Sequence, residues 1–319
     1  MNYKKIVVAG GGVLGSQIAF QTAYCGYDVT IWLRSEDSVK RAKSKIDKLK
    51  ETYLETLESM NKSKEEWARG LANEKDFKLN DCVKNVNKAY KSICYETDLE
   101  SALKDADLVV ESLAENTKDK IEFYKIVAPL LEEKTVLVTN SSTLIPSTFA
   151  KYTGRADKYL ALHFANSIWK NNTAEVMGHD QTDKKYFDEV IEFAKSINMV
   201  PLPITKEKSG YLLNSMLVPF LLSGLDLYAN GVSDPETIDK AWTLATGAPD
   251  GPFQIMDIVG LVTAKNIVEQ YQKVPSLLNP LLKKMMLPYN YKEMLNILNK
   301  YIDEGKLGVS SGEGFYKYK

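Results

Sequence analysis

The chain has 319 residues, enough for two domains that each bury a core of their own. Lys+Arg 41 against Asp+Glu 42 leaves a formal net charge of -1, so no global field draws it to nucleic acid or an anionic membrane, and neither is an expected partner. Cys25, Cys82 and Cys94 are odd in number, far apart and without metal-ligand spacing, which fits reduced thiols, no bound metal and a cytoplasmic location.

The opening apolar run is too short for a signal peptide and leads directly into a glycine turn; no later run is long enough to span a bilayer. Ile6 to Ala9 reads as a first strand, Val13 to Ala23 as a helix and Val29 to Leu33 as a second strand. From about 37 to 77 the chain is charged and helix-prone, with Leu54, Leu57 and Met60 at helical spacing, which predicts a helical hairpin inserted into the sheet domain. The strand pattern resumes at Ser92 to Tyr95, and Thr97-Asp98-Leu99-Glu100 is a capping-box pattern that opens a short helix. Leu108 to Glu111, Val136 to Asn140, Tyr159 to His163, Ala174 to Met177 and Val200 to Ile204 read as further strands. This alternation predicts an α/β fold, a doubly wound sheet domain over residues 1–205. After Lys206 the pattern changes to amphipathic helices: Tyr211 to Tyr228, then one opened by Ser233-Asp234-Pro235-Glu236 and stopped by Gly247. Residues 206–319 are therefore predicted to be an all-α C-terminal domain.

The turn Gly10-Gly11-Gly12-Val13-Leu14-Gly15 lies between a strand and a helix, and a second strand ends about 20 residues later, as a dinucleotide fingerprint requires. Gly10 makes the tight turn, Gly12 lets a pyrophosphate approach the backbone, and Gly15 lets helix and strand pack closely. The helix N-terminus at Val13 and Leu14 offers free N–H groups and a positive dipole end. The first domain is thus Rossmann-like, with NAD(P) as its expected cofactor. An acidic residue at the end of the second strand normally holds the ribose diol of NAD. Here Leu33 stands in that place, followed by Arg34 and Ser35, a set suited to a 2′-phosphate, so NADP(H) is favoured. The alternative is that Arg34 is a solvated charge and Glu36 or Asp37 reaches the ribose.

Only two histidines are present. His163 ends the strand Leu160-Ala161-Leu162-His163 at the carboxyl edge of the sheet, where such folds bind ligands. Position alone leaves it open between a structural side chain and a proton-transfer group, although an imidazole titrates near neutral pH and suits the second role. His179, in a Gly178-His179-Asp180 turn, reads as a solvated loop residue.

A longer series of motifs is more specific. Asp107-Leu108-Val109-Val110-Glu111-Ser112-Leu113-Ala114-Glu115-Asn116 is followed by Lys120, then by Thr139-Asn140-Ser141-Ser142-Thr143-Leu144, the His163 segment and Glu175. The helical half carries Ser209-Gly210-Tyr211-Leu212-Leu213-Asn214, Gly247-Ala248-Pro249-Asp250-Gly251-Pro252-Phe253 and Gly312-Glu313-Gly314-Phe315-Tyr316. In order and spacing, over the whole chain, the series resembles the L-3-hydroxyacyl-CoA dehydrogenase (3-hydroxybutyryl-CoA dehydrogenase) family. The resemblance implies an oxidoreductase that interconverts a short-chain (S)-3-hydroxyacyl-CoA and the 3-oxoacyl-CoA. It places the catalytic set on Ser142, His163, Glu175 and Asn214: His163 as general base and acid, Glu175 orienting it, Ser142 and Asn214 binding the reacting oxygen. It also puts Glu115, Lys120 and Asn140 on the nicotinamide side of the cofactor site. A homodimer through the helical domain is implied as well, with the apolar run Met216 to Leu222 either its face or intradomain core.

The chain departs from the family pattern in places. Ala165 stands for an aromatic residue and Ser167 for proline after the histidine, which predicts a more polar and less rigid loop. Ser209 replaces proline and Ser215 replaces arginine. On the hairpin, Lys40, Arg41, Lys43, Lys45 and Lys48 suit either CoA phosphates or a solvated helix face. Two further readings share these residues: a dehydrogenase of a free 3-hydroxy acid, resembling carnitine or gulonate dehydrogenases, and a non-catalytic nicotinamide-binding protein resembling the crystallin branch.

Overall fold

A computed structural model describes residues 3–64, 67–272 and 289–318. The chain divides into two compact units, Met1–Leu212 and Leu213–Lys319.

The first unit is built on eight strands: β1 (Lys5–Ala9), β2 (Asp28–Trp32), β3 (Cys94–Glu96), β4 (Leu108–Glu111), β5 (Val136–Thr139), β6 (Tyr159–Phe164), β7 (Thr173–Met177) and β8 (Val200–Ile204). They form one sheet in the order β3-β2-β1-β4-β5-β6-β7-β8. Every pairing is parallel except that of β6 with β7. The central strands β4, β5 and β6 are buried at every residue, as a sheet covered on both faces demands. β8 is an edge strand and carries Pro201 and Pro203. The two prolines share one parity, so their missing N–H groups fall on the free edge, while Val200 donates toward the β7 side through Asn172 O.

The helices of this unit are α1 (Val13–Tyr24), α2 (Glu36–Lys62), α3 (Leu79–Ser92), α4 (Leu99–Leu103), α5 (Thr117–Val127) and α6 (Lys184–Ser196). α1 is buried continuously from Gly15 to Tyr24 because it runs between the sheet and the hairpin formed by α2 and α3. α2 has 27 residues, about 40 Å at 1.5 Å per residue, and its buried stripe is Val39, Ala42, Ile46, Leu49, Tyr53, Leu57 and Met60. The hairpin extends to Ser92, past the predicted limit near 77. Its second arm buries only Cys82, Val86 and Ala89, a stripe of small side chains set among Lys and Asn that reads as polar in sequence. The cap of the short α4 is Asp98, whose carboxylate accepts from Ser101 N at 2.8 Å, and not Thr97.

The composition change near residue 205 precedes the division at Leu212. The intervening segment belongs to the sheet unit because Tyr211 is fully buried against Ala161, Met177 and Ile204.

The second unit contains α7 (Leu213–Ala229), α8 (Pro235–Thr246), α9 (Pro252–Val259), α10 (Leu261–Gln272) and α11 (Tyr291–Asp303) among the described residues. Val218, Leu221 and Leu222 join Phe253, Met256 and Leu298 in its core, while Met216 is 67% exposed. The apolar run 216–222 is therefore mostly intradomain core. Among the described residues no helix is long and apolar enough to cross a membrane.

Two buried carboxylates organise this unit. Asp239 accepts from Phe253 N at 2.9 Å, Gln254 N at 3.0 Å and the Tyr316 hydroxyl at 2.8 Å. Asp257 accepts from Phe315 N and Tyr316 N at 2.9 Å each and from the Tyr318 hydroxyl at 2.8 Å. Two motif glycines make room for them: a Cβ on Gly251 would lie 2.4 Å from Asp239 Cγ, and one on Gly314 2.0 Å from Asp257 Oδ1. Gly314→Ala is expected to destabilise the helical unit by about 1–3 kcal/mol through this clash. Thermal denaturation checks it, and an unchanged Tm contradicts it.

Candidate active site

β1 delivers the chain into the glycine turn, and Gly10 N donates back to Trp32 O at 3.0 Å. Gly10 holds φ +114, and a Cβ there would sit 2.5 Å from Ser112 O, so only glycine fits. Gly15 is fixed equally firmly, since its Cβ would lie 2.1 Å from Gly10 O. Gly12 differs. A Cβ added to it meets nothing within 4 Å, and its φ -67 and ψ -167 are open to any residue. The fold itself does not require glycine at that position; a pyrophosphate approaching the backbone there would. Gly12 is also the N-cap of α1 and gives no side-chain cap, and the first turn holds no acidic residue. The N–H groups at Val13 and Leu14 thus face the cleft without a side-chain acceptor, which fits a dinucleotide pyrophosphate.

The cleft has a volume of about 550 Å³, and its lining includes Gly10, Gly12, Leu33, Arg34, Glu115 and Asn140, with Ser142 at one end. Part of its lining is cationic. Arg34 from the β2 end is joined there by Ser38, Arg41 and Lys45 of α2, whose spacing of three and four puts them on one helix face. Arg41 Nη2 donates to Ser38 Oγ at 2.8 Å. Neither Glu36 nor Asp37 lines the cleft, and Asp37 pairs instead with Lys40 at 3.3 Å. Ser35 serves as the N-cap of α2, its hydroxyl accepting from Ser38 N. Of the hairpin cations, Lys43 lies over the Tyr95 ring.

At the other end, β6 and β7 pair so that His163 stands opposite Glu175. His163 Nδ1 lies 2.9 Å from Glu175 Oε2, and Nε2 lies 3.2 Å from Ser142 Oγ. The second carboxylate oxygen of Glu175 accepts from Leu212 N at 2.8 Å. A carboxylate accepts only, so Nδ1 carries the proton and Nε2 is left to exchange protons on the Ser142 side. Tyr211 stacks on the imidazole with ring centroids 4.6 Å apart. Three side chains from separate segments thus form one chain of hydrogen bonds in a nearly dry site.

The remaining expected residues surround this chain. Asn140 Oδ1 accepts from Phe164 N at 3.0 Å, fixing the end of β6. Glu115 accepts through one oxygen from Ser141 Oγ, Thr143 N and Thr143 Oγ1, and so braces the loop that carries Ser142. Burial works against its charge, but the Ser141 hydroxyl, the Thr143 N–H and Lys120 outweigh that and hold its carboxyl below the usual range. Lys120 is buried on Glu111 at 2.6 Å and approaches Glu115 at 3.7 Å; it does not line the cleft. Asn214 is the second residue of α7, in the helical unit. His179 is half-buried rather than solvated, packing on the Tyr159 ring and accepting from Gln181 N.

The loop after His163 is not loosened by its lack of proline. Ile168 and Trp169 are buried, and Gln17 of α1 accepts from Ser167 N at 2.9 Å and donates to Asn166 Oδ1 at 2.8 Å. Ser167 holds φ +58, a conformation closed to proline. Gln17 carried no signal in the sequence and Tyr211 appeared only as a member of the Ser209–Asn214 motif, whereas the spacing of Ser38, Arg41 and Lys45 by three and four is a signal that could have found their common face.

A glycine turn at a helix N-terminus, in one sheet unit with a histidine held by a buried carboxylate, is the equipment of a nicotinamide-dependent alcohol dehydrogenase. The comparisons narrow this. Residues 5–208 match the model of the 3-hydroxyacyl-CoA dehydrogenase NAD binding domain, and residues 210–318 that of the 3-hydroxyacyl-CoA dehydrogenase C-terminal domain. The mitochondrial hydroxyacyl-coenzyme A dehydrogenase of Homo sapiens is 33% identical over 317 residues, covering 99% of this chain and 91% of that protein. The 3-hydroxybutyryl-CoA dehydrogenase of Clostridioides difficile is 30% identical, covering 98% and 99%. A solved diketoreductase, described as acting on dicarbonyl compounds, is 45% identical with a TM-score of 0.82, both chains being covered at 100%. The chain belongs to the 3-hydroxyacyl-CoA dehydrogenase family.

The contrast between the glycines is testable. Gly12→Ala is expected to leave Tm unchanged and to weaken nicotinamide dinucleotide binding at least tenfold, a loss of about 1.4 kcal/mol. Gly15→Ala is expected to lower Tm as well. Binding titration and calorimetry on both variants check this, and a Gly12→Ala protein of normal affinity contradicts it.

Proposed function

We propose that the protein catalyses reversible oxidation of a short-chain (S)-3-hydroxyacyl-CoA to the 3-oxoacyl-CoA, with NADP(H) as the preferred nicotinamide cofactor. The observation that carries this reading is the chain Ser142–His163–Glu175, with 3.2 Å and 2.9 Å contacts, in the sheet unit that also bears the glycine turn.

When bound, the nicotinamide supplies the hydride acceptor or donor for the carbinol carbon. His163 Nε2 takes the hydroxyl proton in oxidation and returns it to the forming alkoxide in reduction. Glu175 fixes the tautomer and its carboxylate stabilises the imidazolium as it forms. The Ser142 hydroxyl holds the reacting oxygen next to Nε2, and Asn214 is assigned to the catalytic set on the strength of the family pattern. The helical unit, which exposes Val232, Trp242 and Leu244, is also proposed as the homodimerisation domain.

The cofactor preference rests on charge. A ribose-binding carboxylate has no counterpart at Leu33, whose side chain is buried, while Arg34, Ser38, Arg41 and Lys45 line the cleft beside it. Such a set complements a 2′-phosphate and leaves a bare ribose diol without its usual acceptor. A second reading, supported by the 45% identical diketoreductase, is reduction of a dicarbonyl compound that carries no CoA.

An assay with acetoacetyl-CoA and with ethyl acetoacetate, each with NADPH and NADH, decides between these readings. The expected result is turnover of acetoacetyl-CoA with a higher kcat/KM for NADPH; turnover of the free ester alone supports the second reading. His163→Ala is expected to lower kcat about 10²–10⁴-fold, the usual span of a general acid–base group, and Glu175→Ala to act in the same direction, with cofactor Kd unchanged in both. Near-normal kcat in either variant contradicts the assignment. In Arg34→Ala/Arg41→Ala the ratio of kcat/KM for NADPH over NADH is expected to fall at least about tenfold. An unchanged ratio places the 2′-phosphate elsewhere or removes it from the argument.

A further inference from the structure

The last segment of the sheet unit makes three contacts around His163. Ser209 Oγ donates to Thr143 O at 2.7 Å, beside Ser142, and Leu212 N donates to Glu175 Oε1 at 2.8 Å. Between them Tyr211 lays its ring on the imidazole, with centroids 4.6 Å apart and an interplanar angle of 23°. The backbone takes left-handed φ at two consecutive residues to do so, +79 at Gly210 and +53 at Tyr211. Glycine adopts that region freely, whereas a bulky aromatic residue rarely does, and such strain persists only where the surroundings hold it. Here they do. Tyr211 is fully buried on Ala161, Met177 and Ile204, and its N–H donates to Lys208 O at 3.1 Å. It does not line the cofactor cleft. Burial first, and then the charges of Glu115 and Glu175, push its hydroxyl well above the usual range, so it stays a neutral phenol and is no second proton carrier. What Tyr211 offers the imidazole is the face of its ring.

We propose that Tyr211 is a positioning residue for His163, acting through the electron-rich face of its ring: it holds the imidazole plane and stabilises the imidazolium as the hydroxyl proton arrives at Nε2. The two in-plane partners do neither alone. Hydrogen bonds at Nδ1 and Nε2 leave the ring free to tilt about the line that joins them, and the Glu175 carboxylate meets positive charge only at the Nδ1 edge. A stacked aromatic face stops the tilt, and its quadrupole attracts a cation that the buried surroundings otherwise disfavour. In oxidation the C–H bonding pair leaves as hydride for the nicotinamide while the O–H proton moves to Nε2. The charge that Tyr211 meets therefore develops only in the transition state and after it, and an interaction of that kind raises kcat without tightening substrate binding. The proposal rests on the reading of His163 as the proton-transfer group, since an imidazole that never becomes charged gives the ring face no cation to hold.

The electrostatics of the ring can be varied while its shape stays nearly constant. Tyr211→Phe removes the hydroxyl and keeps the face. Mono-, di- and trifluorinated phenylalanine, placed at the same position by nonsense suppression, then draw electrons from that face stepwise. Tyr211→Leu removes the face altogether. The full-length variants are assayed by single-turnover hydride transfer from (S)-3-hydroxybutyryl-CoA and from uncharged ethyl 3-hydroxybutyrate, with whichever oxidised nicotinamide cofactor the wild type uses. Steady-state KM, cofactor Kd by fluorescence and Tm are measured alongside.

Tyr211→Phe is expected to keep a transfer rate within about twofold of wild type. The rate is then expected to fall with each added fluorine, about tenfold from phenylalanine to the trifluorinated ring, at unchanged KM, cofactor Kd and Tm. Tyr211→Leu is expected to lose at least as much. It also opens a cavity, so the fluorinated series, which changes volume little, carries the test where the leucine variant is unstable. A rate that stays flat across the series, or losses that follow Tm or appear only in KM, overturns the proposal. A large loss already in Tyr211→Phe places the effect in the hydroxyl and overturns it as well. A wild-type protein that oxidises neither ester overturns the functional reading itself, whereas an active wild type with a flat fluorinated series overturns the Tyr211 assignment alone.

Discussion

The first unit depends on one constraint: α1, the helix that follows the glycine turn, has no solvent face from Gly15 to Tyr24. On a helix so buried, a long amide side chain is stable where it finds partners inside the protein. Gln21 meets that condition by donating to Gly70 O and Ile197 O and accepting from the Tyr53 hydroxyl. One amide thereby ties the loop of the hairpin, the hairpin's long arm and the end of α6 to the cofactor helix. Gln17 does the same for the loop after His163. The surroundings of the site are arranged by the need to bury this helix, and its N-terminus is held to the turn by the close approach that Gly15 allows.

Buried carboxylates supply the second organising device. Glu111, at the end of β4, accepts from Lys120 Nζ at 2.6 Å, Leu113 N at 2.7 Å, Thr139 Oγ1 at 2.7 Å and the Tyr124 hydroxyl at 2.8 Å. A buried ion pair is costly to desolvate unless its spare lone pairs are taken, and here three donors besides Lys120 take them. The same logic runs outward through Glu115 to the Ser142 loop and recurs at Glu175, which holds His163 with one oxygen and the Leu212 backbone with the other. Asp239 and Asp257 repeat it in the helical unit. Each anion gathers backbone and side-chain donors from segments distant in sequence, and so fixes loops that carry no regular structure of their own.

This division of labour explains what the sequence reveals. Strands such as Val109 to Glu111 and the glycine turn announce themselves because periodicity and glycine spacing are local signals. The pairing of His163 with Glu175 follows from a strand reversal, β6 against β7, and is legible only through the resemblance that names both residues. α3 was obscured because its buried face is made of Cys82, Val86 and Ala89. Gln17 was obscured for a different reason: a single buried amide has no period, and its meaning lies in a partner about 150 residues away, which only the fold brings near. The cap on α4 moved from Thr97 to Asp98 because either side chain can cap, and the backbone chose between neighbours.

The departures from the family pattern are linked by packing. Ser167 can take its left-handed conformation because it is not proline, and that conformation is what turns two backbone N–H groups toward Gln17. At the glycine turn, a Cβ on Gly11 would lie 2.7 Å from Ala42 Cβ and 2.8 Å from Leu33 Cδ2, so α2 and Leu33 both close directly onto the turn. Leu33 does not merely lack the expected carboxylate; its buried side chain packs on the turn at Gly11, where Ala42 of α2 also packs. Because Ala42 packs there, its neighbours on the helix, Ser38, Arg41 and Lys45, are carried to the rim of the cleft. The cationic rim and the missing carboxylate therefore lie on the two segments that close onto the same glycine, α2 and the end of β2. Replacing Leu33 with an acid would have to undo that contact as well as change the charge.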